Sequence, residues 1–240
     1  MNHISCKQKE QSGLANLFYA LLGNAIEFYD FLIYAFLAVH MSRNFFPEHH
    51  PKLAILAIYG IHFISFLARP LGAIVIGHIG DKVGRKKGLS ISILFTGAST
   101  FCIGLLPNYE SVGILSTLVL LSLKFMQGLG VSGEQSGAIV YLTEHFGTRK
   151  RGLVCGLIQS SVFGGILLGS LVIYILNACF TTADIREFAW RIPFLISLPL
   201  CVLCWWGRAS APESHAFSEY KKEKSKKIKL KVFKIFIFPR

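Results

Sequence analysis

"GHIGDKVGRKKG", residues 77–88, is a polar island between two long apolar runs, and its reading decides the fold. Gly77 and Gly80 would let two helices approach at a tight turn, and Gly84 tolerates a positive φ. Asp81 can accept from the unpaired N–H groups of a helix start, where the dipole favours an anion. Arg85, Lys86 and Lys87 follow with three cations. A basic loop that only sets membrane topology accounts for the cations. It does not account for an aspartate four residues before an arginine within a glycine frame.

Outward from this island the chain is oily. Of 240 residues, 52% are hydrophobic and only 16% charged, too apolar for an ordinary soluble domain of this size. A helix crossing the hydrocarbon core needs about 20 mostly apolar residues. Six runs meet that need: 14–39, 53–79, 88–106, 112–142, 152–180 and 189–206. None shows the strict alternation of a membrane β-barrel strand. The expected fold class is therefore an all-α membrane protein with six transmembrane helices. Residues 1–13 read as a short polar N-terminus, 14–207 as the six-helix bundle and 208–240 as a basic linker or tail. The first run lacks a small-residue cleavage site and reads as a retained span.

The net charge of +12 follows the loops. One side receives the N-terminus, loops 80–87 and 143–151, and the tail, with 19 Lys or Arg among them. The other side receives loops 40–52, 107–111 and 181–191, with 4. The positive side is cytoplasmic, so both termini are expected inside a plasma membrane, in a bacterium the inner one. The same distribution argues against nucleic acid as a partner. Cys201 and Cys204 form a C-x-x-C pair inside a span with no second pair, which does not make a metal or redox site.

The first span holds "GNAIEFYDFLIYAF", residues 23–36, with two acids. Gly23, Glu27, Asp30 and Tyr34 follow offsets of four, three and four and line one helical face. At 1.5 Å per residue Glu27 lies roughly 20 Å from Leu14, well inside a core of about 30 Å. A charged acid there costs about 2.5–3.5 kcal/mol on insertion scales, so it faces protein or a wet cavity. Two carboxylates one turn apart disfavour double ionisation, the property a proton carrier uses. Arg69 in span 2 and Lys124 in span 4 are the only Lys or Arg inside the spans, Arg191 being counted with loop 181–191, and are the candidate partners. Purely structural pairing with them remains an alternative to proton or substrate handling. Asp30, nearer the outer end, is expected to be partly hydrated. In span 4, Gln127 and Glu134 share a stripe, with Lys124 one turn before Gln127. Gly128, Gly130 and Gly133 leave room for a neighbouring helix or a ligand. Span 5 adds Gln159 within a glycine-rich stretch that reads mainly as close helix packing.

Several stretches together resemble a known family. Gly77, Asp81, Lys82, Gly84, Arg85, Lys86 and Lys87 match G-x-x-x-D-[RK]-x-G-R-[RK]-[RK], the loop 2–3 signature of the major facilitator superfamily. "KFMQGLGVSGEQSGA" (Lys124–Ala138) resembles its fourth-span pattern, with Lys124 where an arginine is usual and Ser132-Gly133-Glu134 where G-G-E is usual. "EHFGTRKRG" (Glu144–Gly152) resembles its E-x6-R-G loop. "ARPLGA", "WRIPF", "ESHAF" and "GNAIEFYDFLIY" are similar to the metabolite:H+ symporter branch.

The resemblance implies six helices as two inverted three-helix repeats, one half of a twelve-helix transporter, and no enzyme. It implies proton-coupled symport of a small organic solute. A zwitterion such as proline or betaine is the first expectation and a dicarboxylate such as α-ketoglutarate the second. The proton is then the coupling ion and no cofactor is needed. The expected proton and substrate pathway takes in Asn24, Glu27, Tyr29 and Asp30 of span 1, Arg69 of span 2, Lys124, Gln127 and Glu134 of span 4, and Gln159 of span 5. A cytoplasmic gate is expected from Gly77, Asp81, Gly84 and Arg85 with Glu144 and Arg151. Besides solute, proton and lipid, a separate C-terminal half or a second copy is an expected partner. A truncated remnant or a regulatory membrane protein is the competing reading.

Overall fold

The computed structural model describes residues 2–47, 50–146 and 151–210. Its long helices are α1 (Asn2–Phe45), α2 (Pro51–Val83), α3 (Arg85–Gly104), α5 (Ile114–Phe146), α6 (Arg151–Cys179) and α8 (Arg191–Ser210). Two short helices, α4 (Tyr109–Val112) and α7 (Thr182–Asp184), lie in the connections. Five stretches are long and apolar enough to cross a membrane: Leu17–Phe45, Pro51–Gly80, Lys87–Gly104, Ile114–Gly133 and Arg151–Cys179. The sixth is not the single straight run that the sequence suggests. Thr182–Ala189 and Arg191–Gly207 together qualify but meet at a bend of 51°.

Local chemistry sets these breaks. Gly84 alone joins α2 to α3 at φ 122°, a backbone region closed to residues with a Cβ. Its N–H bonds the Gly80 carbonyl at 3.1 Å, ending α2. The close approach at this turn is made by Gly88 against Gly80, whereas a side chain at Gly77 would meet open space. Gly113, at φ 62°, separates α4 from α5, so the fourth span begins at Ile114. The sixth span opens on a capping box between Thr181 and Asp184. A π-helical turn, Ile185–Ala189, follows and swings Trp190 into the core against Phe45. Arg191 then pins the start of α8 by donating to the Leu106 carbonyl and to Asn108 Oδ1, at 3.1 and 3.2 Å.

Packing follows a swap rule. Exchange α1 with α5, α2 with α6 and α3 with α8, and the main contacts map onto one another. Thus α2 on α5 matches α6 on α1, α3 on α5 matches α8 on α1, and α3 on α8 maps onto itself. Successive spans alternate in direction, so the exchange relates two inverted three-helix repeats. Glycines repeat the relation. A Cβ at Gly128 of α5 would strike the Ser65 backbone of α2, and one at Gly165 of α6 would strike the Ala25 backbone of α1. The room left by Gly128, Gly130 and Gly133 is filled by helices α2 and α3.

Inside and outside are inverted relative to a soluble protein. Leu56, Ile74, Leu167 and Tyr174 stand out on the bundle surface at 68–72% exposure, while Asn24, Glu27, Asp30, Lys124 and Gln127 are buried. With no water to solvate the backbone or those side chains, helices and internal pairing are the available solution. The chain is an integral membrane protein.

Candidate functional site

The first-span face resolves into two separate settings. Gly23, Glu27, Asp30 and Tyr34 are all buried, as a shared helical face requires. The two acids nevertheless turn to different neighbours. Glu27 faces Arg69 of α2, with Oε1 3.8 Å from Nη2, a loose pair at the edge of a cleft. Phe31, His62, Ser65, Gln127, Gly128 and Val131 also line that cleft. Arg69 lies 4.6 Å over the Phe66 ring, and its side chain is 30% exposed.

Asp30 turns the other way, into the bundle. It is 1% exposed, so the expected partial hydration does not hold: α3 packs over it. Thr100 Oγ1 donates to Asp30 Oδ2 at 2.8 Å. Gln127 Nε2 donates to Thr100 Oγ1 at 2.8 Å, and Lys124 Nζ donates to Gln127 Oε1 at 2.7 Å. A continuous hydrogen-bonded line therefore joins a buried acid on α1 to a buried cation on α5 through α3. Lys124 has no exposure and its ammonium sits 3.7 Å from the centre of the Tyr34 ring. Opposite charges in a dry interior interact strongly, which offsets part of the cost of burying each. Asp30 Oδ1 has no hydrogen-bond partner among the described residues.

Two other residues expected on the pathway tie helices together. Asn24 Nδ2 donates to the Ile158 carbonyl at 3.1 Å and to Ser161 Oγ at 2.8 Å, tying α1 to α6. The Tyr29 hydroxyl donates to the Pro193 carbonyl at 2.9 Å, tying α1 to α8. Gln159 is exposed on α6. The side chains of Glu134, Asp81, Arg85 and Glu144 lie outside the described residues, as does the tail beyond Ser210. Arg151 is exposed at the start of α6. A wider hollow lined by Arg43, Asn108, Glu110 and Arg186 lies at the opposite end from the α2–α3 turn and contains none of the pathway residues.

Sequence reasoning missed Thr100 and His62. Ser92, Thr96 and Thr100 recur every fourth residue along α3, a polar stripe in an apolar span. His62, Ser65 and Arg69 follow helical offsets of three and four in α2 in the same way. His62 stacks on Tyr34 at 4.8 Å and packs against Phe31 at 4.5 Å, and neither ring nitrogen has a hydrogen-bond partner among the described residues.

A six-helix membrane bundle of two inverted repeats, with an ion pair and a polar line in its interior, defines a bundle of the transporter class. The sugar (and other) transporter family model matches residues 15–234, and the chain belongs to that family, within the major facilitator superfamily. It is 38% identical over 201 residues to the proline/betaine transporter of Escherichia coli K12, covering 84% of this chain and 40% of that one. It is 37% identical over 201 residues to a glycine betaine/proline/ectoine/pipecolic acid transporter of Dickeya dadantii, with 84% and 40% covered. An inner membrane metabolite transport protein of E. coli K12 is 40% identical over 212 residues, with 88% and 48% covered. The chain thus spans about 40% to half of the length of these relatives. The xylose transporter of E. coli, in a partially occluded inward-open form, superposes with a TM-score of 0.76 at 18% identity, over 93% of this chain and 54% of that one. That likeness concerns the fold.

Proposed function

We propose that the chain takes part in proton-coupled symport of a small zwitterion such as proline or betaine, as an integral membrane protein with both termini in the cytoplasm. The observation that carries this reading is the division of the first-span acids. Asp30, sealed and linked to Lys124, suits a group that takes up and releases a proton. Glu27, loosely paired with Arg69 at a cleft, suits solute binding. A zwitterion entering the cleft would exchange partners with that pair, its carboxylate against Arg69 and its ammonium against Glu27. The incoming ligand then replaces one charge pair by two, which offsets part of the cost of desolvating the zwitterion. Phe31 and Phe66 give the cationic end aromatic faces. The relatives named for proline and betaine support the solute class.

In this reading the proton is the sole coupling ion and no cofactor enters. A second six-helix body, supplied in the reconstituted vesicles by a second copy of this chain, closes the solute against this one near the midplane, as in transporters built from paired bundles. The 19-to-4 bias of Lys and Arg supports the cytoplasmic placement of the α2–α3 turn. This reading assigns a cytoplasmic gate to Gly77, Asp81, Gly84, Arg85, Glu144 and Arg151, because partly hydrated charge pairs in general contribute a modest energy that solute binding can outweigh. The test is uptake of labelled betaine into proteoliposomes holding the chain, driven by an inward proton gradient. Uptake is expected for the wild type and its loss for Glu27→Gln. No uptake by the wild type, or unchanged uptake by Glu27→Gln, contradicts the reading.

A further inference from the structure

Thr100 sits at a branch point. Its Oγ1 is within hydrogen-bond distance of three partners: Asp30 Oδ2 at 2.8 Å, the Thr96 carbonyl at 3.0 Å and Gln127 Nε2 at 2.8 Å. A hydroxyl owns one proton and two acceptor lone pairs. Gln127 Nε2 can only donate, so it takes one lone pair. The single hydroxyl proton must then choose between Asp30 and Thr96.

We propose that the Thr100 hydroxyl is the positioning group for the transported proton: it rotates between Asp30 and the Thr96 carbonyl as Asp30 gains and loses its proton. This rests on the reading of Asp30 as the proton carrier. With Asp30 ionised, Thr100 O–H donates to Oδ2. When a proton arrives from water, a new O–H bond forms at Oδ2 and donates to the second lone pair of Thr100. The Thr100 proton swings to the Thr96 carbonyl, with no bond to it broken. The Thr96 carbonyl is also the acceptor of the helical N–H of Thr100, so its second lone pair receives the hydroxyl and is spared when the hydroxyl leaves.

The consequence is that both states keep the line from Asp30 to Lys124 intact. Gln127 donates to Thr100 and Lys124 donates to Gln127 whether or not Asp30 carries its proton. A buried polar group left without a partner is destabilising, and this arrangement lets Asp30 titrate without creating one at Thr100. The charged and titratable groups that face Asp30 are Tyr29 and, one turn on, Tyr34 on its own helix, and Lys124 on α5 at the far end of the line; Glu27, His62 and Arg69 belong to the cleft on the other side of α1. Among the partners bonded along the line, Thr100 alone can reverse its bond to Asp30. Lys124 Nζ and Gln127 Nε2 are donors only.

Infrared difference spectra of the purified chain, recorded through a pH titration, read this directly without transport. The carboxylic acid C=O band that disappears in Asp30→Asn reports the protonated carrier. In the wild type and in Thr100→Ser it is expected at the same lowered frequency of an acid donating a hydrogen bond. In Thr100→Val, which keeps the shape and removes the hydroxyl, it moves to higher frequency. Thr100→Ala provides the same reading should the valine variant not fold. A threonine acting by packing alone leaves the band in place in Thr100→Val and moves it in Thr100→Ser, and that result overturns the proposal. Absence of any Asp30-dependent band overturns it together with the proton-carrier reading. A clear band in a chain that moves no betaine leaves the hydroxyl's role standing and removes the transport reading.

Discussion

At the scale of single residues, burial and pairing divide labour between two acids that sequence spacing put on one face. Glu27 and Asp30 were legible because acids in an apolar run are rare and their offset is helical. Their separate partners were not, because a helical face about 100° wide lets neighbouring residues touch different helices. Arg69 and Lys124 were legible by elimination, as the only other Lys or Arg within the six runs is Arg191, at the very start of the sixth. His62 and Thr100 look unremarkable alone and acquire meaning from the polar stripes to which they belong. His62 lends itself to a sharp test, since its ring nitrogens make no hydrogen bond among the described residues. Replacing it by phenylalanine removes no internal hydrogen bond, so thermal stability in detergent is expected to hold or rise. If its ring donates to a bound carboxylate, betaine uptake falls about tenfold, the worth of one charge-assisted hydrogen bond. Lower stability with unchanged uptake would count against the cleft as the solute site.

At the scale of elements, the spans were readable from length and hydropathy, and five of six emerged as single helices. The sixth did not, because a π-helical turn reflects how Trp190 packs against Phe45 and Phe194, a tertiary fact. Gly84 was readable as a residue tolerant of positive φ. Gly77 was not distinguishable from it by sequence, yet its surroundings are open. Two substitutions should therefore differ. Gly84→Ala is expected to destabilise by on the order of 1–3 kcal/mol through backbone strain, whereas Gly77→Ala is expected to be tolerated, as seen in detergent melting curves. Helix packing gives a second contrast. Gly165→Leu drives a side chain into the α1 backbone and is expected to lower the melting temperature, an overpacking cost of about 1–3 kcal/mol. Gly164→Leu, next to it and facing open space, is expected to melt near the wild type.

At the scale of the whole molecule, the bundle is a self-consistent pair of inverted repeats whose polar interior and apolar exterior suit a bilayer. The fold class, the family and the repeat organisation could be read from the loop 2–3 signature and the span count. The packing rule that exchanges α1 with α5 could not, since it is a fact of tertiary contacts between helices far apart in the chain. Orientation rests on charge bias. In a chain freed of its six cysteines, one introduced at Asn108 is expected to react with an impermeant thiol reagent from outside intact cells, and one at the exposed Lys82 only after permeabilisation. The central claim is that Asp30 carries the proton and the Glu27–Arg69 cleft the solute. It is tested most directly by following labelled betaine and lumenal pH together in the same vesicles. In the wild type, betaine entry should acidify the lumen; in Asp30→Asn, betaine should still exchange across the membrane while the lumenal pH stays flat. Acidification of equal size in Asp30→Asn, or betaine entry into wild-type vesicles with no proton movement, would contradict it.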